Sequence, residues 1–139
     1  MTHHNRILLV ALLLLSAFAM SVNANPWDPR KHITKVVVEN DIEGRELAVH
    51  CKSRDDDLHL RRLQPHRSFD WTFRPTFFET TLFYCSFDWG EGVHWFDIYI
   101  QDRDYHICKE CRWLVRRDAV CLTSDSNQAC YYYKRRYGP

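Results

Sequence analysis

The chain has 139 residues, of which 19 are Lys or Arg and 18 are Asp or Glu, giving a net charge of +1 at pH 7 with histidine neutral. This balance argues against a general nucleic-acid-binding protein, which needs a strong basic excess. The length and the 45% share of hydrophobic residues suit one domain with its own core.

The first 24 residues have the pattern of a secretory signal peptide. Arg6 precedes an apolar run from Ile7 to Met20, which is too short to span a bilayer as a helix. Small residues end this segment, and we place the cleavage after Ala24. Residues 25–139 retain 18 basic and 18 acidic residues. We therefore expect a secreted, extracellular protein without stable insertion into a membrane.

Residues 25–32 contain two prolines and predict a short extended arm. Residues 33–122 carry β signals, and hydrophobic alternation is clearest at 47–51, 69–73 and 93–100. No window after the signal segment has a convincing helical period. This pattern predicts an all-β fold, a disulfide-stapled antiparallel β-sandwich of about seven or eight short strands. Residues 123–139 are predicted to form a basic-aromatic tail outside it.

The cysteines all lie beyond the signal segment. An even number of them in a secreted chain predicts a disulfide framework, whose pairing the sequence leaves open. Cys108 and Cys111 are expected to bond to different partners, because a bridge across two intervening residues is tight. The six predicted disulfide cysteines are Cys51, Cys85, Cys108, Cys111, Cys121 and Cys130.

Metal and redox sites find little support in the sequence. The Cys108-x-x-Cys111 pair lacks the βαβ context of a redox protein and the second ligand pair of a structural zinc site. Residues 55–57 are three aspartates without the alternate spacing, the glycine or the distal glutamate of a calcium loop. We expect no metal and no cofactor.

Catalytic patterns are also weak. No nucleophile-elbow or zinc-protease motif is present. His50 and His94 lie in or beside predicted strands and are the candidates for a general acid and base. Strand histidines with exposed or hydrogen-bonded side chains are the more common case. The sequence therefore predicts a protein that is not an enzyme.

Residues 50–58, HCKSRDDDL, resemble the hallmark segment of the plant self-incompatibility protein S1 family. Further motifs follow in the order of that family, at residues 69–73 (FDWTF), 81–85 (TLFYC), 96–99 (FDIY) and 108–113 (CKECRW), and continue to Cys121. The similarity covers nearly all of the chain from Ile33 to Leu122.

The resemblance implies a non-enzymatic extracellular ligand of cell–cell signalling or recognition. Its partner would be a membrane receptor or another cell-surface protein, not a nucleic acid, and we expect a monomer. Polar loops between strands are thought to bear recognition in this family, and they correspond here to residues 54–58 and 101–106. The candidate recognition residues are Arg54, Asp55, Asp56, Asp57, Gln101, Asp102, Arg103 and Asp104.

The chain departs from the family pattern at several places. His59 stands where the family usually has glycine, and Cys130 and the tail are added beyond the usual domain. Residues 131–137 mix tyrosine with Lys and Arg, a composition that favours membrane surfaces. The alternative function is therefore a secreted defence protein, antimicrobial or cytotoxic.

Overall fold

The computed structural model describes residues 2–22, 32–76, 80–124 and 127–133. The chain forms two units, Met1–Lys31 and His32–Pro139. In the first unit, helix α1 (His3–Val22) contains the predicted apolar part of the signal peptide. None of the helices in the described residues has the length and apolarity needed to cross a membrane. The predicted cleavage point and residues 25–31 lie outside the described residues.

The second unit is built from strands, with one short helix, in the part of the chain that the structure describes. In chain order the elements are β1 (Thr34–Asn40), β2 (Leu47–Lys52), β3 (Asp57–Leu63), β4 (Ser68–Phe73), β5 (Leu82–Asp88), β6 (Val93–Ile100), α2 (Gln101–Asp104), β7 (Glu110–Val115), β8 (Ala119–Ser124) and β9 (Asn127–Tyr132).

These strands form two sheets. One has the order β4-β1-β7-β8-β9 and the other β3-β2-β5-β6, so the predicted all-β sandwich is confirmed. Neighbouring strands are antiparallel, with one exception among the described strands: β1 and β7 run parallel. A parallel pair needs a long connection, and residues 41–109 supply it, forming β4 of the same sheet and the four strands of the other sheet. Local turn signals could not reveal this pairing.

The core lies between the sheets and is rich in rings. Alternation works as expected in β2, where Leu47, Val49 and Cys51 are fully buried. The ring of Phe73 lies 4.7 Å from that of Phe83 and 4.8 Å from that of Tyr99, measured between centroids. Each buried ring removes a large apolar area from water, so these contacts between the sheets stabilise the sandwich.

Two of the disulfides join residues that face each other across antiparallel strands. Cys51 of β2 lies opposite Cys85 of β5, and the two are bonded. Cys121 of β8 is bonded in the same way to Cys130 of β9. In both cases the covalent bond lies within one sheet and fixes the register of two neighbouring strands.

The third disulfide corrects a prediction. Cys108 and Cys111 are bonded to each other and not to different partners. The backbone turns sharply between α2 and β7, where the amide of Cys108 donates to the carbonyl of Asp104. The chain then bends at Lys109, and the two cysteine Cα atoms lie 5.2 Å apart, which is within the usual range for a disulfide.

The sandwich continues past Leu122, where the sequence prediction ended it. β8 runs to Ser124, and β9 then pairs with it along its whole length. The ring of Tyr131 lies 5.9 Å from Trp113 between centroids, so it packs against the core. The first part of the predicted tail is therefore the edge strand of a sheet. Residues 134–139 lie outside the described residues.

Candidate functional site

The loop between β2 and β3 is a tight turn. The amide of Ser53 donates to the carbonyl of Asp56 at 2.8 Å, and the amide of Asp56 donates back to the Ser53 hydroxyl at 3.0 Å. Such a serine turn holds the backbone without help from distant residues. Arg54 and Asp55 lie at its tip with side chains 72% and 76% exposed and 3.5 Å apart. The loop thus presents Arg54, Asp55 and Asp56 to solvent in a fixed arrangement.

Asp57 has a different role from the aspartates before it, because it is the first residue of β3. Its Oδ1 accepts a hydrogen bond from Nε2 of His50 at 2.6 Å and another from the amide of His59 at 2.8 Å. The bond from His50 is the main reason that the pKa of Asp57 lies below its ordinary value, and the bond from the His59 amide adds to it. Asp57 therefore anchors the end of the loop to the sheet.

His59 adopts a left-handed backbone conformation, with φ at 62°. It lies at an irregularity between β2 and β3, where Leu58 and His59 face Cys51 alone. Such bulges often place one residue at positive φ, which glycine adopts without strain. His59, which stands where the family usually has glycine, therefore lies at a backbone position that favours glycine.

The second predicted loop is largely helical. Residues 101–104 form α2, and the side chain of Gln101 fixes its start. Gln101 accepts from the amide of Thr81 at 2.9 Å and donates to the carbonyl of Thr76 at 2.9 Å. Of the four candidate residues in this segment, Asp102 is the exposed one.

Asp104 is buried and cannot meet a partner, contrary to the prediction from sequence. Its side chain is 1% exposed, and both of its oxygens bond to the guanidinium of Arg103, at 2.7 and 2.8 Å. Arg103 also donates to the carbonyl of Asp97 at 2.9 Å. The guanidinium lies over three rings at 5.1–5.4 Å, those of Phe96, Trp113 and Tyr131.

The two histidines considered for catalysis do not form a pair. His50 lies on the outer face of the four-stranded sheet, beside Asp57. His94 faces the other side, where its ring stacks on Trp89 at 4.4 Å and lies 4.6 Å from Tyr133. No group of three or more His, Cys, Asp and Glu side chains is placed to hold a metal ion in residues that the structure describes.

The comparison with protein families matches residues 35–135 to the model described as plant self-incompatibility protein S1. The chain belongs to this family. The matched region includes all nine strands except the first residue of β1, so β9 and Cys130 are part of the family domain rather than an addition to it.

Relatives in Arabidopsis thaliana agree with this assignment. S-protein homolog 29 is 34% identical over 134 residues, covering 94% of this chain and 98% of the relative. S-protein homolog 3 is 39% identical over 131 residues, covering 88% and 87%. A solved structure described as belonging to a family of small, highly stable, secreted plant proteins matches with a TM-score of 0.54 and 18% identity. It covers 74% of this chain and 96% of its own, and supports the fold.

Proposed function

We propose that the protein is a secreted, non-enzymatic ligand that acts between cells by binding a membrane receptor. The observation that carries this proposal is the β2–β3 loop. Its tip holds the exposed carboxylates of Asp55 and Asp56 on a turn that is fixed by Ser53 and anchored by Asp57. A preorganised loop loses little conformational entropy on binding, which favours affinity.

The charge of this tip suggests the chemistry of the receptor. Asp55 and Asp56 are exposed, and the guanidinium of Arg54 lies 3.5 Å from the carboxylate of Asp55. Complementary charges guide the encounter of two proteins and select the partner. The receptor surface facing this loop is therefore expected to be basic.

The proposal can be tested on plant cells with labelled protein, before the receptor is known. The variant Asp55→Asn/Asp56→Asn should compete with labelled wild-type protein about tenfold less well for saturable surface sites, because it loses two charges at the contact. Glu110→Gln/Asp118→Asn is the matched control, since it removes one exposed carboxylate from β7 and one from the connection between β7 and β8. Equal competition by all three proteins would contradict a role of this loop.

The alternative function, a defence protein whose basic-aromatic tail binds membrane surfaces, has less support. Tyr131 packs against the core, and burial raises the pKa of Tyr133 well above its ordinary value. Among the described tyrosines from 131 onward, Tyr132 is the exposed one, at 73%. Within residues 131–133, one ring therefore faces solvent, which gives a membrane-active segment less support.

A further inference from the structure

The outer face of the four-stranded sheet carries polar side chains together with four exposed apolar ones, Leu60, Leu82, Val93 and Trp95. The registers of the strands place Leu60, His50, Ser86 and Trp95 in one row across β3, β2, β5 and β6. The side chain of Trp95 is 61% exposed at the end of this row. The other tryptophans whose side chains are described are more buried: Trp71 is partly buried, and Trp89 and Trp113 are 4% and 0% exposed.

A second ring, that of Tyr84, lies next to Trp95 on the outer face, and we call the two rings together the Trp95 platform. Tyr84 lies in the neighbouring row, opposite Lys52, and its ring centroid is 6.2 Å from that of Trp95, with 42° between the ring planes. Tyr84 is partly buried, and Trp95 is the widely exposed ring of the two. Exposed apolar side chains that gather on one face often mark a binding site.

The surroundings of these rings distinguish between kinds of partner. The centre of a protein interface usually joins several apolar residues in one desolvated patch. Here Val93 is the exposed apolar neighbour of Trp95 on β6, but Ser86 and His50 separate Trp95 from Leu60 in the row. Aromatic faces interleaved with a hydroxyl and an imidazole suit a ligand that is itself both apolar and rich in hydroxyl groups.

The charges of the face point to a neutral ligand. Each cation on it lies near a carboxylate of the same molecule: Lys52 is 3.9 Å from Asp57, and Arg62 is 3.1 Å from Glu46. His50 also bonds to Asp57. An anionic ligand would have to disrupt these pairs, whereas a neutral one leaves them in place.

We propose that this face binds a neutral oligosaccharide chain. The indole of Trp95 stacks on the C–H face of one pyranose ring, and Tyr84 contacts a neighbouring sugar. The positive edges of C–H groups meet the negative face of the indole. The hydroxyl of Ser86 and the imidazole of His50 lie where they can bond to the sugar hydroxyls. The surface is separate from the loop tip at Asp55 and Asp56, so it does not depend on the proposed function.

Calorimetric titration of the secreted chain with cellohexaose, xylohexaose and mannohexaose tests the proposal. At least one of them should bind, and Trp95→Ala should weaken that binding about tenfold, with Trp95→Phe retaining most of it. The matched control is Tyr132→Ala, which removes an equally exposed ring from β9. Its affinity should equal that of the wild-type protein, as should that of Asp55→Asn/Asp56→Asn.

Tryptophan fluorescence adds a second readout. Because Trp95 is the most exposed of the described tryptophans, bound sugar should shift the emission to shorter wavelength in the wild-type protein and not in Trp95→Ala. Three outcomes would overturn the proposal: none of the neutral hexasaccharides binds at millimolar concentration, Trp95→Ala binds as the wild type does, or hexagalacturonate, which is anionic, binds more tightly than all three.

Discussion

Arg103 and Asp104 are adjacent in the chain, and their side chains form a bidentate ion pair at the edge of the four-stranded sheet. Oδ2 of Asp104 also accepts from the amide of Ile100 at 2.8 Å, and Arg103 donates to the carbonyl of Asp97. These bonds tie α2 to the last strand of the sheet, β6. A pair that sequence reasoning assigned to recognition is thus part of the scaffold.

Replacing Asp104 by Asn should destabilise the protein by about 3 kcal/mol. The substitution leaves the guanidinium of Arg103, whose side chain is 19% exposed, without its counter-charge in a largely buried site. Urea unfolding followed by circular dichroism measures the change. Asp102→Asn alters a neighbouring exposed carboxylate and should stay within about 0.5 kcal/mol of the wild type. Equal stabilities of the two variants would contradict the role of the ion pair.

Replacing His59 by Gly should stabilise the protein by about 0.5 kcal/mol. Glycine removes the strain of a side chain at positive φ, which stabilises the folded protein. This effect is larger than the loss of stability caused by the greater entropy that glycine gives to the unfolded chain. The bond from the amide of residue 59 to Asp57 does not need a side chain. His59→Ala is the control, since it deletes the imidazole but keeps Cβ. If alanine stabilised as much as glycine, backbone strain would not be the cause.

Acid should weaken the protein partly through Asp57. Its pKa is lower in the folded protein than the ordinary value of 3.8, so its contribution to stability is complete above 3.8 and is lost as pH falls further. The free energy of unfolding, measured from pH 5 to pH 2, should fall less steeply for Asp57→Asn than for the wild type. Parallel curves for the two proteins would show that folding does not lower the pKa of Asp57.

Alkali should weaken the protein through Tyr99. Burial raises the pKa of this fully buried tyrosine from 10 to about 12, outweighing the neighbouring Thr34 hydroxyl. Stability is therefore complete below pH 10 and declines as pH rises towards 12, by about 2–3 kcal/mol in all. Tyr99→Phe should reduce this decline, and the comparison is made by urea unfolding at pH 9 and pH 11.5. An unchanged decline in the variant would exclude Tyr99 as its source.

The three disulfides should differ in their contributions. The bond between Cys51 and Cys85 closes a separation of 34 residues, against 9 for Cys121–Cys130 and 3 for Cys108–Cys111. Because a longer loop restricts the unfolded chain more, removing these bonds as Cys→Ala pairs should cost about 4, 2.5 and 1.5 kcal/mol respectively. Thermal unfolding gives the order. The reverse order would mean that local packing, not loop closure, dominates.

Hydrophobic alternation along the chain was enough to predict the all-β sandwich and most of its strands. The strand with Leu47, Val49 and Cys51 is an example. Successive side chains of a strand point to opposite faces, so burial of one face requires a hydrophobic residue at every second position. The family motifs predicted the S1 assignment, which the comparison confirmed. The even cysteine number predicted the disulfides but not their partners.

Tertiary structure alone decided what depends on distant residues. Asp104 and Asp55 are both aspartates in polar segments, and only the packing of α2 against β6 makes the first a buried anchor and leaves the second exposed. The bond between Cys108 and Cys111 depends on a backbone turn that composition does not encode. The face that carries the Trp95 platform requires the registers of four strands, because residues far apart in the chain become neighbours only when their strands are paired.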